Sequence, residues 1–294
     1  MVDQALLLMA HGSRDSAARA EYVRIGRALA ARLADQHVVF SALEFPDEAE
    51  LPSIEEGWRR CLAAGANRIV AMPFFLFPAG HVREDLPEEI DRARRTVGDA
   101  EVEFVPPLGP ADELLDVLID RADEALATVG GGVAEGVDAM LLVGAGTSDP
   151  DANGDLCKAA RLVWERARDR YPLVETAWVS LTEPSVPQAV ERLAKLGAGR
   201  IAVVPYFLNT GILLKRIESR LIDCRVQHPS IPMPLGAHMG LHPRLLDLLE
   251  RKAREGIDGR CESEGLLAVC GRSSCTSVAL GRARLLRETS PAGR

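Results

Sequence analysis

The chain of 294 residues is 47% hydrophobic and 27% charged, with a net charge of −8, the balance of a globular protein with room for two domains of about 150 residues each. The negative charge argues against nucleic acid, and no basic run or aromatic–basic stripe points the other way; no apolar stretch is long enough to span a membrane. Met1-Val2-Asp3 runs straight into a strand-like segment with no visible signal peptide, and six scattered cysteines fit a reducing compartment, so a cytoplasmic protein is expected.

Strand-like and helix-like stretches alternate along the chain, which predicts an α/β protein built on mainly parallel sheets. The first strand is Ala5–Ala10, followed by a helix Ser16–Leu33 that Asp15 caps. The second strand is His37–Leu43. An acidic loop, Glu44 to Glu50, leads through Pro52-Ser53 to a helix Ile54–Ala64 that stops at Gly65. The third strand, Arg68–Phe77, is the longest apolar run and turns through Pro78-Ala79-Gly80 to His81. A helix from about Glu84 to Val97, a strand Glu101–Val105 and a helix Asp112–Thr128 complete a first lobe, 1–128. The segment 129–137 has the glycine content of a linker. The order then restarts in a second lobe, 138–256. Its strands are Met140–Val143, Val174–Leu181, Arg200–Leu208 and Ile231–Gly236. Its helices are one reaching Tyr171, then Pro184–Leu196, Leu213–Asp223 and Arg244–Glu255.

The second lobe repeats the first. Pro52-Ser53, Gly65-Ala66, Arg68-Ile69, Pro73 and Phe75-Leu76 recur 132 positions later as Pro184-Ser185, Gly197-Ala198, Arg200-Ile201, Pro205 and Phe207-Leu208. Pro107-Leu108-Gly109 is matched to Pro234-Leu235-Gly236, at 127. Two tandem Rossmann-like lobes related by duplication are expected to face each other across a cleft.

In an open α/β sheet, ligands bind at the carboxyl ends of the strands. The first lobe carries His11, Glu44 and His81 just past three such ends. The second offers Ala145, Thr182 and Leu213 or Ile212 instead. Taken singly, these residues read as ordinary loop histidines and a solvated carboxylate. As a set, two imidazoles and a carboxylate suit a borderline divalent metal such as Co²⁺, Ni²⁺, Fe²⁺ or Zn²⁺, with coordination positions left open.

Leu7-Leu8-Met9-Ala10-His11-Gly12-Ser13-Arg14, Leu43-Glu44-Phe45 and Pro73-Phe74-Phe75-Leu76-Phe77-Pro78-Ala79-Gly80-His81, followed by Asp85-Leu86-Pro87, resemble the sirohydrochlorin chelatases of the CbiX and SirB types. The resemblance covers nearly all of 1–128 and, more weakly, 138–256. It implies a two-lobed class II chelatase, a lyase that inserts cobalt or ferrous iron into the tetrapyrrole sirohydrochlorin without ATP, for cobalamin or sirohaem biosynthesis. It also implies that His11, Glu44 and His81 form the metal site and carry the catalysis. Insertion displaces two pyrrole protons, and neutral imidazole is a suitable base for them. The substrate's carboxylates call for cations at the rim, for which Arg14 and Arg83 are the candidates, with Ser13 as a hydrogen-bonding group beside His11. Phe74, Phe75 and Phe77 offer an apolar wall, with at least one of the three assigned to the core. The alternative function is a metal or tetrapyrrole carrier that binds without accelerating insertion. Internal duplication favours a monomer, and neither nucleic acid nor membrane is expected as a partner.

Other features carry less. Gly144 and Gly146 match a dinucleotide loop poorly, because Asp149 stands where its third glycine belongs; a vestige of the first lobe's His-Gly-Ser turn explains them better. Asp47, Glu48 and Glu50 read as a solvated loop. His238 and His242 are spaced for a second metal site but read better as part of a helix start. The extension 257–294 has no counterpart in the repeat. It has a strand-like stretch Leu266–Val269 and a helix-like one Ser277–Arg287, and it gathers Cys261, Cys270 and Cys275. Some longer relatives carry a Cys-x-x-Cys iron–sulfur motif there. Cys270 and Cys275, with four residues between them, do not match it, so no cluster is expected.

Overall fold

The computed structural model describes residues 3–78, 80–129 and 136–261. The side chain of His81 lies outside the described residues, as do most of the glycine-rich linker and the expectations placed on Leu266–Val269, Ser277–Arg287, Cys270 and Cys275.

The first sheet is formed by β1 (Gln4–Ala10), β2 (His37–Ala42), β3 (Arg68–Pro73) and β4 (Glu101–Phe104), all parallel, in the order β2-β1-β3-β4. The connecting helices are α1 (Ser16–Arg32), α2 (Ile54–Ala63) and α3 (Leu86–Thr96), with α4 (Asp112–Ala127) after β4. The second sheet is β6-β5-β7, from β5 (Val137–Gly144), β6 (Leu173–Trp178) and β7 (Ala198–Pro205), again parallel. Its helices are α5 (Pro150–Ala167), α6 (Val186–Lys195), α7 (Ile212–Gln227) and α8 (Pro243–Ile257). β1 is buried from Ala5 to Ala10, as a central parallel strand covered on both faces must be. The two-lobed α/β expectation is met.

Four details depart from the sequence reading, the first being that the strand expected over Val174–Leu181 runs from Leu173 to Trp178, where Trp178 N–H turns to the Pro184 carbonyl. The third strand ends at Pro73, and Phe74 N–H makes its last bond to β1, to the carbonyl of Met9 at 2.7 Å. Likewise β7 stops at Pro205, and Tyr206 N–H donates to Val143. The expected strand Ile231–Gly236 is absent among the described residues. That segment runs beside β7, with Ile201 and Val203 N–H donating to the carbonyls of Pro232 and Pro234 and Gly236 N–H donating back to Val203 at 2.8 Å, but Pro232 and Pro234 have no N–H for the other bonds, so only an isolated parallel bridge, Val203 to Leu235, forms.

The last helix of each repeat packs on the other repeat's sheet. α4 lies on β7 and α5, while α8 lies on β1 and β3. The approach is close: a Cβ on Gly256 of α8 would sit 2.6 Å from Val70 in β3, and one on Gly236 would sit 3.1 Å from the Arg121 carbonyl in α4. Arg68 in β3 donates to the carbonyls of Gly256 and Ile257. One apolar core therefore runs through both lobes by way of α1, α4, α5 and α8, and two smaller cores lie under α2–α3 and α6–α7.

Candidate active site

The turns after β1 and β5 are built alike. Gly12 and Gly146 take φ of +92° and +83°. A Cβ on either would lie within 1.8 Å of the Glu44 carbonyl oxygen or 1.7 Å of that of Ser180, so only glycine fits. Ser13 and Thr147 each accept from the N–H of the capping aspartate two residues on, both at 3.1 Å. Asp15 and Asp149 then cap α1 and α5 at 2.9 Å each. This backbone frame presents the residue before each glycine, His11 in one lobe and Ala145 in the other, at the carboxyl edge of its sheet.

The frame also holds the second strand's end. Glu44 N–H donates to the His11 carbonyl at 2.8 Å, and Ser180 N–H donates to that of Ala145 at 2.9 Å. Phe45 and Leu181, one residue further on, are the two non-glycine residues with positive φ among those described. The counterpart of Glu44 is therefore Ser180, not Thr182, because the second strand of the second lobe ends at Trp178 rather than at the expected Leu181. A parallel correction applies after β3 and β7. Leu108 and Gly109 donate to Phe75 and Leu76 as Met239 and Gly240 donate to Phe207 and Leu208. Gly109 thus corresponds to Gly240 rather than Gly236.

His11 and Glu44 therefore sit on adjacent loops tied by a backbone bond. His11 Nδ1 lies 3.4 Å from the Gly12 carbonyl. A carbonyl only accepts, so a hydrogen bond there requires a proton on Nδ1. Glu44 is exposed. His81 opens a π-helical turn, His81–Asp85, directly ahead of α3, a distortion common at functional sites. β1 lies between β2 and β3, so the three positions follow neighbouring strands. Among the described residues, which exclude the His81 side chain, no three His, Cys, Asp or Glu groups are placed to hold a metal.

The rim residues divide. The Arg14 guanidinium lies 4.7 Å above the Phe45 ring, which keeps it beside Glu44. Arg83 is exposed on the π-helical turn. Ser13 uses its oxygen on the Asp15 N–H, while its hydroxyl proton can still donate. Phe74 belongs to the core, in edge-to-face contact with Tyr22 and Phe40; Phe75 and Phe77 are half-buried. In the second lobe the equivalent edge is apolar, with Leu181 84% and Ile212 57% exposed.

The remaining sequence candidates have structural roles. His238 Nε2 is 2.9 Å from both oxygens of Glu21. His242 accepts from Arg244 N–H at the start of α8, and burial, then the Arg121 charge, hold its pKa below the usual histidine range. In the acidic loop, Glu50 pairs with Arg27. Cys61, Cys157, Cys224 and Cys261 are all free thiols, and burial pushes Cys61 up to about 12. Sequence reading missed Glu21 and Asp155. Counting from the two capping aspartates, Asp15 and Asp149, would have paired these two acids.

The family model of CbiX matches residues 5–125 and 139–256. The chain belongs to the CbiX family. Among relatives of the family, the sirohydrochlorin cobaltochelatase of Priestia megaterium is 37% identical over 72% of this chain and 68% of its own. The sirohydrochlorin ferrochelatase of Bacillus subtilis is 28% identical over 86% of this chain and 91% of its own. The structure of SirB from Bacillus subtilis with Fe³⁺ superposes with a TM-score of 0.75 at 26% identity, covering 89% of this chain and 99% of that one. No helix among the described residues is long and apolar enough to cross a membrane.

Proposed function

We propose that the protein is a sirohydrochlorin chelatase that inserts Co²⁺ or Fe²⁺, with Ni²⁺ also accepted, without ATP, in the cytoplasm, as a step toward cobalamin or sirohaem. The observation that carries this reading is the lopsided pair of strand-end turns. They share one backbone frame, yet His11 and Glu44 stand on one side where Ala145 and Ser180 stand on the other. The matching chelatase names support it.

In this reading His11, Glu44 and His81 hold the metal substrate at the carboxyl edge of the first lobe. The second lobe's Leu181 and Ile212 wall the macrocycle. As the ion passes to the ring nitrogens, two pyrrole N–H protons leave, and the imidazoles released from the metal accept them. Formation of the metal–nitrogen bonds drives the reaction, so the protein need only orient the two reactants, and no nucleotide is required. Arg14 and Arg83 take ring carboxylates through charge-assisted bonds, and Ser13 donates near His11. The duplication supplies both walls of the cleft, so a single chain suffices.

The test is an absorbance time course of sirohydrochlorin with Co²⁺, Fe²⁺ or Ni²⁺, with and without protein. Faster metallation with at least one ion, abolished in His11→Ala, supports the proposal. Tight binding of metal or ring with no gain in rate would assign a carrier instead.

A further inference from the structure

A latched seam fixes the loop after β7 and the start of α7 to the first lobe. Glu21 of α1 accepts from Thr210 N–H at 2.6 Å and meets His238 Nε2 at 2.9 Å. Tyr22 donates to Asn209 at 3.1 Å, and Lys215 reaches Asp15 at 3.4 Å. Burial works against the Glu21 carboxylate, but the His238 bond and the Thr210 N–H hold its pKa below the ordinary value. Asp15 closes the turn that carries His11, so the start of α7 stands beside the candidate metal edge.

α7 is the counterpart of α3. The buried Leu86, Ile90 and Ala93 of α3 match the buried Ile217, Leu221 and Cys224 of α7, each 131 positions on. In that register the outer sides differ in charge. Asp85 and Glu89 stand where Arg216 and Arg220 stand. α3 has Glu88 and Glu89 in its first turn, the sign that the helix dipole favours there. α7 has no acid in its first turn, and Lys215 and Arg216 follow directly, a choice that helix stability does not explain.

Ile212, Arg216 and Arg220 are spaced four apart and so share one side of α7. Ile212 is exposed. Arg216 is exposed too, and among the described residues it has neither a hydrogen bond nor an ion pair. Arg220 is half-buried and donates to the Trp178 carbonyl at 3.4 Å, with no carboxylate partner among the described residues. That bond ties the row to the end of β6, close in sequence to the exposed Leu181. Two apolar side chains in solvent beside two guanidinium groups that lack a carboxylate suit a ligand with a flat apolar body and an acidic rim.

We propose that Arg216 and Arg220 bind the substrate: they take carboxylates of the tetrapyrrole while Leu181 and Ile212 lie against its ring. The inference rests on the reading of the protein as a sirohydrochlorin chelatase. Each guanidinium presents a planar fork of donors that matches a carboxylate. Acids at the matching positions of α3 disfavour carboxylates there, so the difference also orients the ring.

The experiment titrates metal-free sirohydrochlorin into wild type, Arg216→Gln, Arg220→Gln and Arg216→Lys, and then follows Co²⁺ insertion. Arg161→Gln, at an exposed α5 arginine paired with Glu165, controls for the lost charge. Arg216→Gln and Arg220→Gln are each expected to raise Kd and KM about tenfold, as loss of a charge-assisted hydrogen bond would. kcat should stay within about twofold, because the lost interaction binds ground state and transition state alike. Co²⁺ affinity and melting temperature should not change. Arg216→Lys keeps the charge and should lose about threefold or less. Fully methyl-esterified sirohydrochlorin should bind wild type and Arg216→Gln equally. Wild-type Kd in both glutamine variants, an equal loss in Arg161→Gln, or the same Arg216→Gln deficit with the ester would overturn the proposal. If one of these occurred while wild type bound sirohydrochlorin and metallated it in a His11-dependent way, this inference alone would fail. If wild type neither bound nor metallated it, the chelatase reading would fail and this inference with it.

Discussion

Place the carboxyl edges of the two sheets side by side and almost everything matches except the chemistry. Both have a glycine whose missing Cβ lets a strand-end carbonyl approach, a hydroxyl that shapes the turn and an aspartate that caps the next helix. Only the first has an imidazole before the glycine and a carboxylate on the neighbouring loop. The second ends in Ala145, Ser180 and exposed Leu181. The comparison separates two demands that a single active-site turn usually confounds. Residues kept in both lobes build the turn, and residues found in one lobe are the ones proposed to act through it.

Mutations can break that separation. The largest effect is expected for His11→Ala and for His81→Ala, each losing about a hundredfold or more of insertion rate, as removal of a ligand and base would. His11→Ala should melt close to wild type because the side chain packs no core, and Ala145→Ser should leave the rate within about twofold. Initial rates and melting temperatures on the same preparations check all three. Glu44→Gln keeps the shape and loses the charge, so a loss of about tenfold is expected, with Ser180→Ala close to wild type. A damaging Ser180→Ala would show that the second edge takes part in catalysis.

The building residues should behave in the opposite way. Gly12→Ala and Gly146→Ala both force a Cβ onto a carbonyl at positive φ, and each should cost about 2–3 kcal/mol in denaturant unfolding. Only Gly12→Ala should also lower insertion under conditions where the protein remains folded. The smallest effect concerns the latched seam. Glu21→Gln should destabilise by about 1–2 kcal/mol near neutral pH. The Glu21 pKa is depressed on folding, so the carboxylate's contribution is full above its ordinary value of 4.5 and is lost as the pH falls through the folded value. Wild type and Glu21→Gln should therefore converge in acid; a difference that widened there would contradict the assignment.

Much of this was legible in the sequence because parallel strands are short apolar runs and their carboxyl ends mark the ligand edge. The repeat was visible through Pro73/Pro205 and Gly65/Gly197, which punctuate strands and helices. What sequence could not give was register across loops of unequal length. Glu44 was matched to Thr182 because both were placed just after the second strand, which in the second lobe was read as running to Leu181 but ends at Trp178; hydrogen bonds to His11 and Ala145 select Ser180. Ile231–Gly236 has the apolar content of a strand, but Pro232 and Pro234 remove the donors a run of bonds would need, leaving one bridge, Val203 to Leu235. His238 and His242 looked like a ligand pair, whereas a partner 217 positions away, Glu21, decides what His238 does. Such contacts follow from tertiary packing and leave no local pattern.

The crossing of α4 and α8 is the arrangement of a domain-swapped dimer whose two copies have been joined end to end. Each half depends on the other's final helix to cover a sheet face, so each must keep its scaffold for its neighbour's sake even when its own strand ends do no chemistry. Covalent fusion removes the requirement that both halves be identical. One copy can then carry an imidazole and a carboxylate at its strand ends while the other carries Ala145 and Ser180, an asymmetry that a swapped pair of identical chains cannot reach.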